Sequence, residues 1–218
     1  MSFFKAIGRL PWSARIGLLI LLLFALCILF APWIAPYGES QIVGDVWEPI
    51  GGTFLFGTDQ IGRDLLSRLV YGARNTISLA LLTTALAFLI GGLLGFLAAT
   101  MRGWVDQLLS RFVDIIISIP TLIFALIVLS AVGTSIPVLI SVIGLVYAMP
   151  VYRIARAVAM DIEIMDYVEV ARLRGEGLWW IMRREILPNA LTPLAAEFGL
   201  RFCFVFLLIS GLSFLGLG

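Results

Sequence analysis

Between two apolar spans the chain carries the charged stretch Tyr167-Val-Glu-Val-Ala-Arg-Leu-Arg-Gly175, which is followed by Ile186-Leu-Pro-Asn-Ala190. The long uncharged runs on both sides are typical of a protein that crosses a membrane several times. In such proteins, arginine-rich loops lie on the cytoplasmic side. Because a soluble protein can reach a loop there, the stretch is a candidate contact surface for a soluble partner.

The composition predicts a chain that is embedded in a membrane throughout. Of its 218 residues, 61% are hydrophobic and 13% are charged, and the mean hydropathy is +1.06. A soluble domain is about 45–50% apolar and about 25% charged. Since lipid leaves backbone polar groups no partner outside the segment, the spans must be helices. We therefore expect an all-α integral membrane protein.

The absence of certain residue types restricts the chemistry. The chain contains no histidine, and its single lysine is Lys5. A phosphate-binding loop that ends in Gly-Lys-Ser/Thr is therefore excluded, so any ATP hydrolysis must belong to another chain. We expect no catalytic residues, no metal site and no cofactor. The sequence therefore argues against an enzyme.

About five transmembrane helices are predicted from the uncharged runs and the residues that interrupt them. A 38-residue run before Arg153 is too long for one helix, and a Gly-Thr-Ser-Ile-Pro turn at 133–137 divides it. The predicted spans are 15–35, 76–101, 112–132, 137–157 and 193–212.

Most of the 15 Lys and Arg residues fall in segments that share a side with the N-terminus. This asymmetry predicts a cytoplasmic N-terminus and a cytoplasmic loop at 161–190. We divide the chain into an N-terminal part, residues 1–75, with the first span and an outer amphipathic segment, and a core, residues 76–218, which includes that loop.

The cytoplasmic loop is predicted to form a helix-turn-helix. Residues 161–174 and 178–186 form two short helices, and the glycine at 175 supplies the corner between them. Pro188 is expected to end the second helix. Ala171 is small, so it is expected to let a partner approach closely.

The spacing of Glu-x-Ala, then Gly, then Ile-Leu-Pro resembles the coupling loop of ABC-importer permeases. Further matches to the dipeptide/oligopeptide/nickel branch cover nearly the whole chain. They are Phe56-Gly-Thr-Asp-Gln-Ile-Gly-Arg-Asp64, Ser118-Ile-Pro-Thr121 and Leu212-Ser-Phe-Leu-Gly-Leu-Gly218. On these motifs the chain is identified as similar to the C-type transmembrane subunit of that branch.

The resemblance implies a permease subunit of an ATP-driven importer for peptides or similar small solutes, with nickel as another candidate solute. Its partners would be ATP-binding cassette ATPase subunits, a sister permease, an extracytoplasmic solute-binding protein and membrane lipid, with no nucleic acid. The location would be a bacterial or archaeal plasma membrane, with several membrane passes. The residues implied in ATPase coupling are Glu169, Ala171, Gly175, Ile186, Leu187 and Pro188.

Three features depart from the family pattern. Val170 stands where the motif has its middle alanine, and Glu185 stands where members often have histidine. Members of the family also continue past the motif at 212–218 into a sixth helix. We therefore expect the chain to be a C-terminally truncated member or a fragment of one.

An ion-coupled secondary transporter is the alternative function, because such proteins use charged residues inside their spans. Glu197 and Arg201 lie four residues apart in the last span, so a helix would pair them. This pair is predicted either to line a translocation path or subunit interface, or to lie near the cytoplasmic interface with its charges extended into water.

Two further patterns have more than one reading. The small residues Gly91, Gly95 and Ala99 share a helical face, which serves either internal packing or a subunit interface. The i,i+4 spacing of Asp59 with Arg63, and of residue 64 with residue 68, predicts an outer amphipathic helix with its own ion pairs. Docking of a solute-binding protein is the alternative role for that helix.

Overall fold

The structure is a computed structural model that describes residues 11–216, so the basic residues Lys5 and Arg9 lie outside the described range. Eight α-helices account for most of this range. They are α1 Trp12–Ile34, α2 Leu65–Met101, α3 Gly103–Ile117, α4 Thr121–Val132, α5 Ile136–Glu163, α6 Asp166–Leu173, α7 Leu178–Ile181 and α8 Leu187–Phe214. Within the described residues, β-structure is limited to isolated bridges.

Among residues 11–216, four helical segments are long and apolar enough to cross a membrane. They are α1, α2, α5 and the segment Leu178–Phe214, which contains α7 and α8. The helices α3 and α4 also pass this test as a pair, but an 86° bend separates them. The described part of the chain therefore has four candidate spans, or five if the bent pair is one span. The predicted all-α membrane fold is confirmed.

The chain divides into two compact units, Met1–Ser78 and Leu79–Gly218. The predicted division after residue 75 stays a prediction. In the first unit, α1 exposes apolar side chains around its circumference, as expected of a helix surrounded by lipid. Its C-terminal end packs inside the unit, where Ala31 and Ala35 form a small core with Val70.

Asp59 holds the loop between α1 and α2 together. Its carboxylate accepts hydrogen bonds from Nε of Arg63 at 2.8 Å and from a terminal nitrogen of Arg68 at 2.7 Å. Its side chain is 6% exposed. The predicted pair between Asp59 and Arg63 is therefore confirmed, but its carboxylate is buried in a loop and does not lie on an exposed helix.

Asp64 caps the N-terminus of α2. Its Oδ2 accepts a hydrogen bond from the backbone N–H of Ser67 at 2.8 Å and another from the Ser67 hydroxyl at 2.6 Å. An aspartate in this position satisfies a backbone donor that the first helical turn leaves without a partner. The predicted pair of Asp64 with Arg68 is wrong, because Arg68 turns back to Asp59.

In the second unit, α2 packs closely on α5 through its small residues. A Cβ atom added to Gly91 would lie 2.3 Å from the carbonyl oxygen of Ala148, and one added to Gly95 would lie 2.8 Å from the carbonyl oxygen of Tyr152. Ala99 of the same face is 1% exposed. The small-residue face therefore serves internal packing within this unit, which was one of the two predicted roles.

The predicted third span, 112–132, is wrong as a single straight helix. The chain forms α3 up to Ile117, breaks at residues 118–120 and resumes as α4 at Thr121. Pro120 precedes α4 with a φ of −55° and a ψ of 124°. It cannot continue the preceding helix, because it has no backbone N–H and its ring collides with a carbonyl of the preceding turn. The break predicted at 133–137 is confirmed, because α4 ends at Val132 and Gly133 adopts a φ of +105°.

The second helix of the 161–190 loop does not end at Pro188, so that prediction is wrong. A π-helical turn at Met182–Ile186 joins α7 to α8, and the segment continues to Phe214. Proline has no N–H and its ring collides with a preceding carbonyl in a regular helix. The wider turn accommodates this, and Nδ2 of Asn189 donates to the carbonyl oxygen of Glu185 at 2.7 Å. The last span consequently begins before the predicted residue 193.

Candidate coupling surface

Residues 163–188, which we call the cassette, form a compact helical corner. At the end of α6, the N–H of Glu176 donates to the carbonyl oxygen of Ala171 at 3.2 Å, and that of Gly175 donates to the carbonyl oxygen of Arg172 at 2.9 Å. These bonds form a Schellman C-cap, which requires a left-handed residue at its corner. Gly175 has a φ of +83°, which glycine adopts without strain.

The underside of the cassette is packed into the protein. Val168 and Ala171 are fully buried. Val168 belongs to a cluster of buried side chains that combines the cassette with α2, α5 and α8. The other members are Phe96, Ala99, Ala155, Ala159, Ile162, Ile181, Met182, Ile186, Ala190 and Leu194. The cassette is therefore seated on these helices by an apolar core.

The outer face of the cassette presents apolar side chains beside a carboxylate. Leu173 is 81% exposed and Val170 is 52% exposed, while Glu169 is also exposed on the same helix. Trp179 of α7 is 62% exposed. Exposed apolar side chains in a group are typical of a protein contact or a membrane contact.

The six predicted coupling residues divide into two groups in the structure. Glu169, Leu187 and Pro188 are exposed, as is the corner residue Gly175. Ala171 and Ile186 are fully buried by their own chain. The small side chain of Ala171 therefore lets α6 lie close to the rest of the protein, and a partner cannot approach it in this conformation, contrary to the expectation from its size.

Glu163, at the end of α5, is a buried charged residue that sequence reasoning missed. Its side chain is 1% exposed, and its two oxygens accept from a terminal nitrogen of Arg172 at 2.6 and 2.8 Å. A terminal nitrogen of Arg102 lies 3.3 Å from Oε2 of Glu163. This contact therefore connects α5, α6 and the residue that follows α2.

Polar contacts also join α3 to α5, and these were missed too. Residues 106, 110 and 114 are four apart, so they share one face of α3. Each has a partner on α5: Asp106 with Arg156, Ser110 with Tyr152 at 2.9 Å, and Asp114 with Arg153 at 2.5 Å. The spacing on α3 was a signal available in the sequence, but the partners depend on the tertiary fold. A cavity of about 580 Å³ lies beside this face.

Glu197 and Arg201 form the predicted ion pair near the middle of α8. Their side chains are 13% and 20% exposed. Arg201 lines a cavity of about 240 Å³ together with Tyr147, Pro150 and Phe204. The alternative position near the cytoplasmic interface, with both charges extended into water, stays a prediction. The predicted role in a translocation path or subunit interface stays a prediction.

Among residues 11–216, no group of three or more His, Cys, Asp or Glu side chains is arranged to hold a metal ion. The described helices and the cassette define an integral membrane protein with several spans and an exposed helical corner between two of them.

Residues 91–218 match the family of the binding-protein-dependent transport system inner membrane component. Residues 12–45 match the N-terminal transmembrane domain of oligopeptide transport permease C. The chain is 38% identical over 210 residues to the di/tripeptide transport system permease protein DppC of Pseudomonas aeruginosa, which covers 93% of this chain and 69% of that protein.

Two other relatives agree with this match. The dipeptide transport system permease protein DppC of Haemophilus influenzae is 32% identical, over 94% of this chain and 72% of its own length. The glutathione transport system permease protein GsiD of Pectobacterium atrosepticum is 28% identical, over the whole of this chain and 72% of its own length. The chain belongs to the binding-protein-dependent permease family, and it is a membrane transport component of the ABC type rather than an enzyme.

Proposed function

We propose that this chain is a transmembrane permease subunit of an ATP-driven importer for peptides or similar small solutes. The relatives support the solute class, since their names specify dipeptides, tripeptides and glutathione. Nickel stays a second candidate solute from the resemblance at the sequence level. The membrane is proposed to be a bacterial plasma membrane, because the relatives are bacterial.

The cassette is proposed to lie on the cytoplasmic side and to receive the motion of ATP-binding cassette ATPase subunits. The observation that supports this most strongly is its construction, with an apolar core below and exposed Glu169 and Leu173 above. A surface that is seated firmly on several helices can transmit a displacement to them. Gly175, Leu187 and Pro188 shape the corner, while buried Ala171 and Ile186 hold it in place.

The remaining partners follow from the proposed orientation. A solute-binding protein would deliver solute on the outer side, and a sister permease would complete the path through the membrane. The ion-coupled alternative is less well supported, because Glu197 is already paired with Arg201 and no longer offers a lone charged group for ion or proton binding.

Copurification of the ATPase tests this proposal. We expect Glu169→Ala to weaken recovery of the ATPase, because a hydrogen bond to a charged group contributes about 1.5–3 kcal/mol. That corresponds to a factor of about ten or more in the dissociation constant. The measurement is the amount of ATPase that copurifies with the tagged chain at a series of salt concentrations.

Glu39→Ala is the matched control, because Glu39 is an exposed glutamate in the loop that is predicted to lie outside. It should leave ATPase recovery unchanged. Undiminished recovery with Glu169→Ala would show that Glu169 is an ordinary solvated residue of α6 and would remove it from the coupling surface.

A further inference from the structure

Glu163 occupies a junction between three elements of the second unit. It is the last residue of α5, Arg172 lies in the last turn of α6, and Arg102 directly follows the end of α2. The carboxylate binds both guanidinium groups, at 2.6 Å for Arg172 and 3.3 Å for Arg102. One buried side chain therefore links the cassette to the ends of two long apolar helices.

The burial of Glu163 makes this junction selective for one arrangement. Its side chain is 1% exposed, whereas Arg172 and Arg102 are 46% and 60% exposed. The arginines can remain hydrated if they move away, but the carboxylate would be left charged and without water. The free-energy cost of separating α6 from α5 therefore comes mainly from leaving the Glu163 carboxylate without a partner.

The apolar core beneath the cassette does not provide the same constraint. The apolar contacts of Val168 hold α6 on these helices, but they are non-directional and specify its orientation less strictly than a hydrogen bond does. One terminal nitrogen of Arg172 donates to both carboxylate oxygens, and these charge-assisted, directional hydrogen bonds favour one orientation of α6 relative to the end of α5.

We propose that Glu163 is a positioning residue that makes α6 and the ends of α2 and α5 move as one body, so that a push on the cassette reaches both membrane helices. This inference rests on the proposed function, because it assumes that an ATPase displaces α6. It assigns a role to a residue outside the six predicted coupling positions.

The test measures a distance in the assembled complex of this chain with its ATPase and sister permease, reconstituted in lipid nanodiscs. Spin labels are placed at Asp166→Cys on α6 and Leu145→Cys on α5, two exposed positions outside the outer face of the cassette, after Cys27 and Cys203 have been replaced by serine. The distance distribution is recorded without nucleotide and with ATP and vanadate.

With Glu163 present, we expect one narrow distance that is the same in both states. With Glu163→Gln, which keeps the shape and removes the charge, we expect a broad distribution that changes with nucleotide. A purely structural role would broaden both states equally. A narrow and unchanged distance between the labels in Glu163→Gln, with the ATPase still bound, would overturn the inference about Glu163. It would leave the proposed function of the chain standing.

Two further variants keep the test decisive if Glu163→Gln does not accumulate in the membrane. Arg172→Gln should reproduce the nucleotide-dependent broadening, and Arg102→Gln should do so more weakly because its contact is longer. A narrow, unchanged distance in both variants would overturn the inference. Asp161→Asn, at an exposed carboxylate on the same helix, is the control and should behave as the unsubstituted chain.

The same preparation separates this inference from the proposed function. If the unsubstituted chain fails to retain the ATPase, both are contradicted. If the ATPase is retained and its recovery is normal in Glu163→Gln, the proposed function stands. The role of Glu163 is then decided by whether the distance between the two spin labels changes with nucleotide.

Discussion

Asp59 is a carboxylate whose charge is stabilised by several donors in the loop between α1 and α2. Burial acts to raise its pKa, but the backbone N–H groups of Arg63 and Ile61 and the guanidinium of Arg63 outweigh that effect. The pKa of Asp59 is therefore held well below its usual value of 3.8. Since the charged form binds these donors, the loop depends on ionised Asp59.

We expect Asp59→Asn to loosen this loop and to make its stability less dependent on pH. A carboxylate with a pKa that is lower in the folded state stabilises that state fully above its unfolded pKa. The stabilisation is lost as the pH falls below about 3.8 toward the folded value. Amide hydrogen exchange of residues 57–63, corrected for its intrinsic pH dependence, measures the effect.

The difference in protection between the native chain and Asp59→Asn should be constant from pH 5 to 8 and should shrink in acid. Glu39→Gln, at an exposed carboxylate, is the control and should change protection little at any pH. A difference that grows as the pH falls would contradict the assignment of Asp59 as the charged centre of the loop.

Among the helices, the contact of α2 with α5 depends on the absence of side chains at two positions. Gly91 and Gly95 let the backbones approach, and any Cβ atom there would meet main-chain atoms that cannot turn aside. Gly92 is adjacent to Gly91, but a Cβ atom added to it would meet nothing within 4 Å. The two neighbours provide a matched pair for testing the packing.

We expect Gly91→Ala to destabilise the protein by about 1–3 kcal/mol, the usual cost of forcing extra atoms into a packed core. Gly92→Ala should leave stability unchanged or raise it slightly, since alanine favours helix by up to about 1 kcal/mol. The midpoint of thermal unfolding of the purified protein in detergent measures both. Equal midpoints for the two variants would contradict the close packing of α2 on α5.

The helix ends and turns that could be predicted from the sequence are those set by residues close together in the chain. The corner at Gly175 follows from glycine after a short amphipathic stretch, and the break at Gly133 follows from its turn residues. The continuation of the helical segment through Pro188 could not be predicted, because proline normally signals the end of a helix. Here the π-helical turn before it accommodates the missing N–H and the proline ring.

The ion pairs required the tertiary fold. Arg68 lies four residues from Asp64, which favours a local pair, but Asp64 is used as the helix cap and Arg68 therefore binds Asp59. In the same way, the helical face of α3 could be read from its spacing, whereas the choice of Arg156 as the partner of Asp106 could not.

Exposure of Glu169 was consistent with its predicted role, but burial of Ala171 was not.

At the scale of the whole molecule, the central claim concerns which surface meets the ATPase. The cassette combines an exposed apolar face with a buried carboxylate that ties it to two long apolar helices. The distribution of basic residues predicts that this face lies in the cytoplasm and that the loop between α1 and α2 lies outside. A contact with the ATPase should therefore occur at the cassette and not at that loop.

Site-directed cross-linking in membranes tests this claim most directly. A photoactivatable maleimide is attached at Leu173→Cys in the cassette or at Ile50→Cys in the loop, which are 81% and 77% exposed, in a chain whose native cysteines are replaced by serine. We predict that the ATPase is captured from Leu173→Cys and not from Ile50→Cys. Capture from Ile50→Cys, or failure of capture from Leu173→Cys while the ATPase remains in the complex, would contradict the claim.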